Sequence, residues 1–479
     1  MAEQLIIAGE RHDAASGETF TVIEPATGAA LADVAKAGPA DVDLALSAAT
    51  AAFNDGRGTW ARTSATERGR VLHRVAELLR EREDLFATTE ARGAGHPIGD
   101  ARWEVGAAAG TFEYYAGAAN KHFGSVVPVQ DAGLDVVLRE PVGPVGLIVP
   151  WNFPLLIACW KLAPALACGN PVILKPASLT PLTALLLGDV LVDAGIPSDQ
   201  VHVLPGPGGI IGDALVSDPR TSKISFTGET TTGSSILKSS ADNIARVSLE
   251  LGGKSAAIVF ADANIAKAAA DAPMSVFGNA GQDCCARSRI LVERSAYDEF
   301  LEIFEATTRA IKVGDPLSTE TEMGPLISEG QRQTSLDYIE IARGEGARVV
   351  SGGDVSDQAG YYLSPAVVAD VDNSMRIARE EVFGPVASII AFDSEEDAIR
   401  IANDSDYGLS GSLWTGSAPR AIRVARSIRT GTLAVNTNRS VRYEAPFGGY
   451  KRSGLGRELG MQAMDAYTEV KNVFFSEED

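Results

Sequence analysis

Cysteine and histidine are scarce in this chain, four and five among 479 residues. Four cysteines in so long a chain make no disulfide framework. No CxxC or Cys/His cluster offers zinc a ligand set, so no metal is expected. Positive charge is short as well. Against 63 Asp plus Glu stand 42 Lys plus Arg, and the net charge of −21 argues against nucleic acid or an anionic membrane as partner. No run of about 18 apolar residues appears, so no segment is expected to span a bilayer. The start, Met1-Ala-Glu-Gln-Leu-Ile-Ile, has no basic segment ahead of a long apolar one, and a reducing cytoplasm is the expected compartment. What remains, 45% hydrophobic and 22% charged residues, is ordinary for a globular protein, with length for two or three domains.

The patterning divides the chain. From Asp41 to Phe123 it is helical, with amphipathic runs such as Arg68–Arg82. Pro128–Leu138 reads as extended, a strand pair apart from the helices around it. An alternation of apolar strands and helices follows: strands at Val145–Val149, Pro171–Lys175, Val201–Leu204, Lys223–Phe226 and Val247–Leu249, with helices at Leu155–Cys168, Pro181–Ala194, Ile210–Val216 and Thr231–Ser240. Continuous apolar strands between helices predict a parallel sheet covered on both faces. At Gly252-Gly253 the pattern restarts with Ser255–Phe260, and a second α/β series follows through Val349-Val350, Val386–Phe392, Ser412–Thr415 and Thr432–Asn436. Thr468–Phe475 is strand-like and leads into an acidic tail.

Chemistry concentrates at two places. Gly281-Gln-Asp-Cys284 sets a thiol in a run of small residues that lets the backbone turn, and Leu249-Glu250-Leu-Gly-Gly-Lys254 ends an apolar strand on a carboxylate. A thiol and a carboxylate are the minimum equipment for covalent catalysis on a carbonyl. A buried packing cysteine and a solvated strand-end carboxylate are the bland alternatives.

Further motifs stand in order along the chain. They are Pro150-Trp-Asn-Phe-Pro154, Lys175-Pro-Ala177, Phe226-Thr-Gly228 with Gly233, Glu380-Glu-Val-Phe-Gly-Pro385 and Pro446-Phe-Gly-Gly-Tyr-Lys-Arg-Ser-Gly-Leu-Gly-Arg457. With the two sites above, they resemble the aldehyde dehydrogenase superfamily over nearly the whole chain. The resemblance implies an α/β fold of two Rossmann-like doubly wound domains plus a small β oligomerisation element. Residues 1–122 and 142–252 would bind the cofactor and 253–462 would be catalytic. Residues 123–141 and 463–479 would form the third element, usually exchanged between subunits of a homodimer or homotetramer. An outlying strand pair with open edges independently favours an oligomer.

The resemblance also implies roles. Cys284 attacks the aldehyde to give a thiohemiacetal, and after oxidation with NAD or NADP, Glu250 activates water to hydrolyse the thioester. Relatives that pass the acyl group to coenzyme A lack this Glu, so water is the expected acceptor. Asn152 donates its amide to the oxyanion; capping the next helix is its alternative. Lys161 and Glu469 match positions that carry protons from the base, or are ordinary surface charges. Val149, Trp151, Lys175, Ser178, Gly208, Gly228, Gly233, Leu251, Glu381 and Phe383 shape the cofactor cleft. Strictly NAD-preferring relatives often carry Glu where this chain has Ser178, so NADP is expected to be accepted. Glu229, in place of the usual Ser, is expected to point outward. Phe153, Trp160, Asp283 and Cys285 fall at pocket positions. Arg439 or Arg442 could clamp a carboxylate, as a semialdehyde dehydrogenase would need, or be a solvated loop arginine. A non-catalytic use of the scaffold is the remote alternative.

Overall fold

Leu147 and Leu174 pack with the helices Ala65–Glu81, Ile98–Ala118, Pro154–Ala167 and Leu182–Asp193, whereas Ile148 and Ile173 on the other face pack with Pro39–Phe53, Gly208–Ser217 and Thr230–Ser240. This two-sided burial explains why the strands read as unbroken apolar runs. The computed structural model describes residues 2–477; the last two residues of the acidic tail lie outside them. In it Arg246–Glu250, Lys223–Thr227, Val145–Ile148, Val172–Lys175 and Val201–Val203 lie parallel in that spatial order. Short antiparallel strands extend both edges: Gly454–Leu455 beyond Glu250, and Leu5–Ile7 with Glu10–His12 beyond Val203.

The chain runs outward from Val145 through Val172 to Val201, then returns to lay Lys223 on the opposite side of Val145. Such a reversal opens a crevice at the carboxyl ends of the strands, where ligands of doubly wound sheets bind.

A second sheet begins directly after the Gly252-Gly253 pair. Six of its strands are parallel: Ala366–Ala369, Val386–Phe392, Arg289–Glu293, Ala256–Val259, Gly411–Trp414 and Ala434–Val435. Arg348–Ser351 closes one edge antiparallel. The third sheet stands apart, with Thr468–Ser476 and Ser125–Val127 flanking Gly133–Pro141. Its C-terminal strand pairs within its own chain along nine residue pairs, so strand exchange is not needed to form it. Val126, Leu134, Val470, Phe474 and Phe475 leave it with an exposed apolar surface. No helix among the described residues is long and apolar enough to cross a membrane.

Candidate active site

Three successive residues, Asn279, Ala280 and Gly281, take left-handed backbone with φ of 51°, 54° and 73°. This turn follows the helix Ile265–Phe277 and reverses the chain into the Cys284 segment. Gly281 is required there, because a Cβ would stand 2.2 Å from the Gly384 carbonyl. Asn279 donates its side-chain amide to the Asn152 carbonyl at 2.7 Å, and Asn152 donates its own amide to the Gln282 carbonyl at 2.9 Å. The Asn152 donor and the Cys284 backbone are thereby fixed against each other, as an oxyanion site needs. The side chain of Asn152 is therefore turned to the Cys284 loop and does not cap its own helix, whose first turn has another partner described below.

Glu250 ends its strand 3% exposed, with one carboxylate oxygen, Oε2, lacking a hydrogen-bond partner among the described residues. Burial holds its pKa well above the ordinary carboxylate range, and Glu458 adds to the rise while Lys161 opposes it. The Cys284 thiol is also held well above its usual value, first by its hydrogen bond with Cys285, then by burial and by the charges of Asp283 and Glu381. Two glycines bring the segment after Glu250 close to Cys284 and Glu381. A Cβ on Gly253 would meet the Cys284 carbonyl at 2.3 Å, and one on Gly252 would overlap the Glu381 carboxylate.

Lys161 is fully buried, donating to Ser225 Oγ at 3.1 Å and paired with the Glu458 carboxylate. The two residues expected to carry protons from the base are thus far apart in environment, and Glu458 takes the place beside Lys161. Glu469 lies on the exposed face of the C-terminal strand in an ion pair with Arg246, whose Nε donates at 2.9 Å. Glu458 was missed because its Arg-Glu-Leu-Gly context reads as a polar turn. Its burial comes with its partners Lys161, on the helix Pro154–Ala167, and Ser225, inside the strand Lys223–Thr227.

The cofactor candidates gather at the strand ends. Val149 and Trp151 follow Ile148, Ser178 follows Lys175, Gly208 follows Val203, Gly228 follows Thr227 and Leu251 follows Glu250. Gly228 donates its N–H to the Glu250 carbonyl at 3.0 Å, and Gly233 lets its helix close on Leu251, where a Cβ would stand 2.6 Å from a methyl. Lys175 is buried, and burial lowers its pKa to about 8; a Cβ on Gly208 would stand 3.7 Å from its Nζ. On the other wall Glu381 accepts the Gly253 N–H at 2.8 Å, and burial pushes it up to about 7. Phe383 meets Trp151 edge-on at 5.3 Å. A cation, glycine-lined backbone and an aromatic wall at a switch point fit a dinucleotide. Glu229 is exposed, as expected, and adds to the rise of Glu381.

Residues 12–473 match the aldehyde dehydrogenase family. The chain belongs to that family. It is an NAD(P)-dependent oxidoreductase that converts an aldehyde to a carboxylic acid. It is 41% identical to human retinaldehyde dehydrogenase 3 over 98% of this chain and 92% of that protein. It is 40% identical to an Aspergillus niger aldehyde dehydrogenase over 98% and 94%. The solved NAD+ complex of a Bacillus cereus aldehyde dehydrogenase superposes with a TM-score of 0.98 at 40% identity, over 100% of this chain and 97% of that one.

In this aldehyde dehydrogenase the wall beside Cys284 is apolar. Cys285, Leu409, Phe447 and Leu459 form one cluster, with Trp160, Tyr443 and Cys284 packed against it, and Trp160 meets Phe447 at 5.3 Å. Arg439 and Arg442 are exposed, and the Arg442 guanidinium donates to the Arg439 carbonyl at 3.3 Å. Neither has an ion-pair or hydrogen-bond contact with the Cys284 segment among the described residues. Asp283 bends back to accept the Cys285 N–H at 2.8 Å.

Beneath Phe153 lies a buried charge cluster that sequence reading missed. Glu90 accepts the Leu155 N–H at 2.9 Å, capping the helix that starts at Pro154, and accepts Thr183 Oγ1 at 3.0 Å. His96 Nδ1 lies 2.7 Å from Glu104 Oε1, and its ring meets Phe153 at 5.5 Å. Burial raises Glu90 to about 7. For His96 burial alone would lower the pKa, but Glu104 and Glu90 outweigh it and raise it to about 9. Spacing gave no signal, because the cap comes from a helix 65 residues away in sequence.

Proposed function

We propose that Cys284 is the nucleophile, Glu250 the general base and Asn152 the oxyanion donor for a neutral, apolar aldehyde. The observation that carries this reading is the buried Glu250 carboxylate, held with a free oxygen at the strand end whose next residues cradle Cys284 and Glu381. A carboxylate whose pKa is raised by burial is a stronger base than an ordinary one, as a group that takes a proton from a thiol or a water needs to be. As Cys284 adds to the carbonyl, its proton passes toward Glu250, and the Asn152 amide meets the charge developing on oxygen. The bound dinucleotide supplies the hydride acceptor. Lys175 would hold its adenosine ribose, Glu381 the nicotinamide ribose, and Phe383 with Trp151 the wall beside the ring. Glu250 then takes a proton from the water that cleaves the thioester, and Lys161 with Glu458 disperses that charge behind it.

The apolar cluster around Cys284 supports neutral substrates, and the Asp283 carboxylate beside the thiol disfavours a second carboxylate there. A semialdehyde preference would need an arginine at the pocket, and Arg442 is tied to the surface. Initial rates over aliphatic, aromatic and carboxylate-bearing aldehydes test this. Faster turnover of the carboxylate-bearing set would overturn it.

NADP is proposed as an accepted alternative to NAD. The Ser178 hydroxyl donates to the Gly206 carbonyl at 2.7 Å, so a small neutral group stands where a carboxylate would repel a 2′-phosphate. A preference for NAD above about a hundredfold in kcat/KM, some 2.7 kcal/mol, contradicts this. We also infer a cytoplasmic homo-oligomer, covering the exposed apolar side chains of the third sheet, with the first sheet serving cofactor binding and the second catalysis. Light scattering of the purified chain reads the assembly.

A further inference from the structure

The nucleophile does not stand alone. Residues 283–286 form a β-turn closed by the Ala286 N–H donating to the Asp283 carbonyl at 2.9 Å, with Cys284 and Cys285 at its two central positions. Asp at the first position of such a turn bends its side chain back over the following backbone, and Asp283 Oδ1 does so by accepting the Cys285 N–H at 2.8 Å. An extended Cys-Cys pair would send its side chains to opposite sides. Here one ligand atom from each of Asp283, Cys284 and Cys285 lies within 4.8 Å of the other two.

Two sulfurs and one carboxylate oxygen suit a thiophilic divalent cation. Around zinc at its usual bond lengths, neighbouring donor atoms sit about 3.5 Å apart, so small side-chain rotations close the observed triangle. The surroundings also favour a dication. The Glu381 and Asp283 charges act on Cys284, and Glu250 is coupled to Cys285, with Arg287 the opposing cation beside Asp283.

We propose that Asp283, Cys284 and Cys285 form a binding site for a soft divalent cation of the zinc class, which reversibly masks the nucleophile. Each thiol loses its proton to solvent as its sulfur–metal bond forms, so two protons leave per ion bound. No electron is transferred, and no oxidant is needed. The ion is a regulatory ligand of the thiols and takes no part in aldehyde oxidation.

The test is titration of the full-length protein, without dinucleotide, with Cd2+. Binding is followed by sulfur-to-metal charge-transfer absorbance, and by calorimetry in two buffers of different ionisation enthalpy to count released protons. The expected result is one ion per chain, two protons released, and reversal by a chelator. Cys285→Ser and Asp283→Asn should each weaken binding at least about tenfold, while iodoacetamide still modifies Cys284 in both. Cd2+ binding by Cys285→Ser as tight as by the unaltered chain, or release of a single proton, would overturn the proposal. Either result would leave the ion without the pair of thiolates that the site requires. Because the readout is metal binding, it stands or falls separately from the catalytic roles proposed above.

Discussion

Lys161 and Glu458 form a buried ion pair directly behind the strand that ends in Glu250, with Ser225 donating to the same Glu458 oxygen at 3.1 Å. Both members of the pair act on the Glu250 carboxyl. Glu458 raises the Glu250 pKa and Lys161 lowers it. Replacing Glu458 with Gln removes the raising charge and frees the lowering one, so both changes act in the same direction. The acid limb of the kcat–pH profile, where Glu250 must be ionised to work, is expected to move to lower pH. Lys161→Met is expected to move it higher. Glu458→Gln also leaves Lys161 buried without its partner, at a cost of about 3–5 kcal/mol, readable by denaturant unfolding.

Glu469 provides the control. Its ion pair with Arg246 is half exposed, and exposed pairs contribute about 0–1 kcal/mol. Glu469→Gln is expected to leave kcat and its pH profile unchanged. A shifted profile would return Glu469 to the proton path.

Base and oxyanion donor should separate kinetically. With Glu250→Gln, acylation of Cys284 should persist as a single turnover of reduced cofactor while steady turnover falls about 10²–10⁴-fold. Loss of the burst as well would show that Glu250 is also indispensable for activating the thiol. Asn152→Ala should reduce kcat about 10²–10³-fold with the burst slowed, as stopped-flow absorbance would record.

The cluster beneath Phe153 predicts a pH-dependent stability. The folded-state pKa of His96, about 9, lies above its ordinary 6.5, so the folded protein holds this proton more tightly. Its contribution is complete below pH 6.5 and disappears as pH rises through 9. His96→Asn should therefore melt well below the unaltered protein at pH 6, and the gap should close toward pH 9.5. A gap independent of pH would mean that packing against Phe153, and not charge, is what His96 supplies.

The strand–helix rhythm from Val145 to Leu249 was legible because each strand is buried on both faces and each helix is bounded by Gly, Pro or polar residues. Cys284, Glu250 and Asn152 stand out in the sequence because each sits inside a short local motif. The first forty residues were not read, although they supply two strands to the first sheet and the hairpin Thr19–Glu24/Ala29–Ala35. Leu5–Ile7 is buried but only three residues long, and the other strands are largely exposed or half buried, with little periodicity. Glu458, Glu90 and Asn279 escaped for a different reason. Each acts on a residue far away in the chain, and only tertiary contact reveals what the carboxylate or amide is for. Glu469 shows the converse error, a matching residue type in a segment that folds away from the site.

Glu250 terminates a strand of one sheet, whereas Cys284 precedes a strand of the other, and the chain joins the two sheets through the short glycine segment after Glu250 and again where it returns to lay Gly454–Leu455 beside Glu250. The reactive centre is therefore a seam. A slip of one sheet against the other, too small to melt either, is enough to pull base and thiol apart. Warming should silence the enzyme at temperatures where its circular dichroism is still intact, and ligands that bridge the seam should postpone that silence more than they postpone melting.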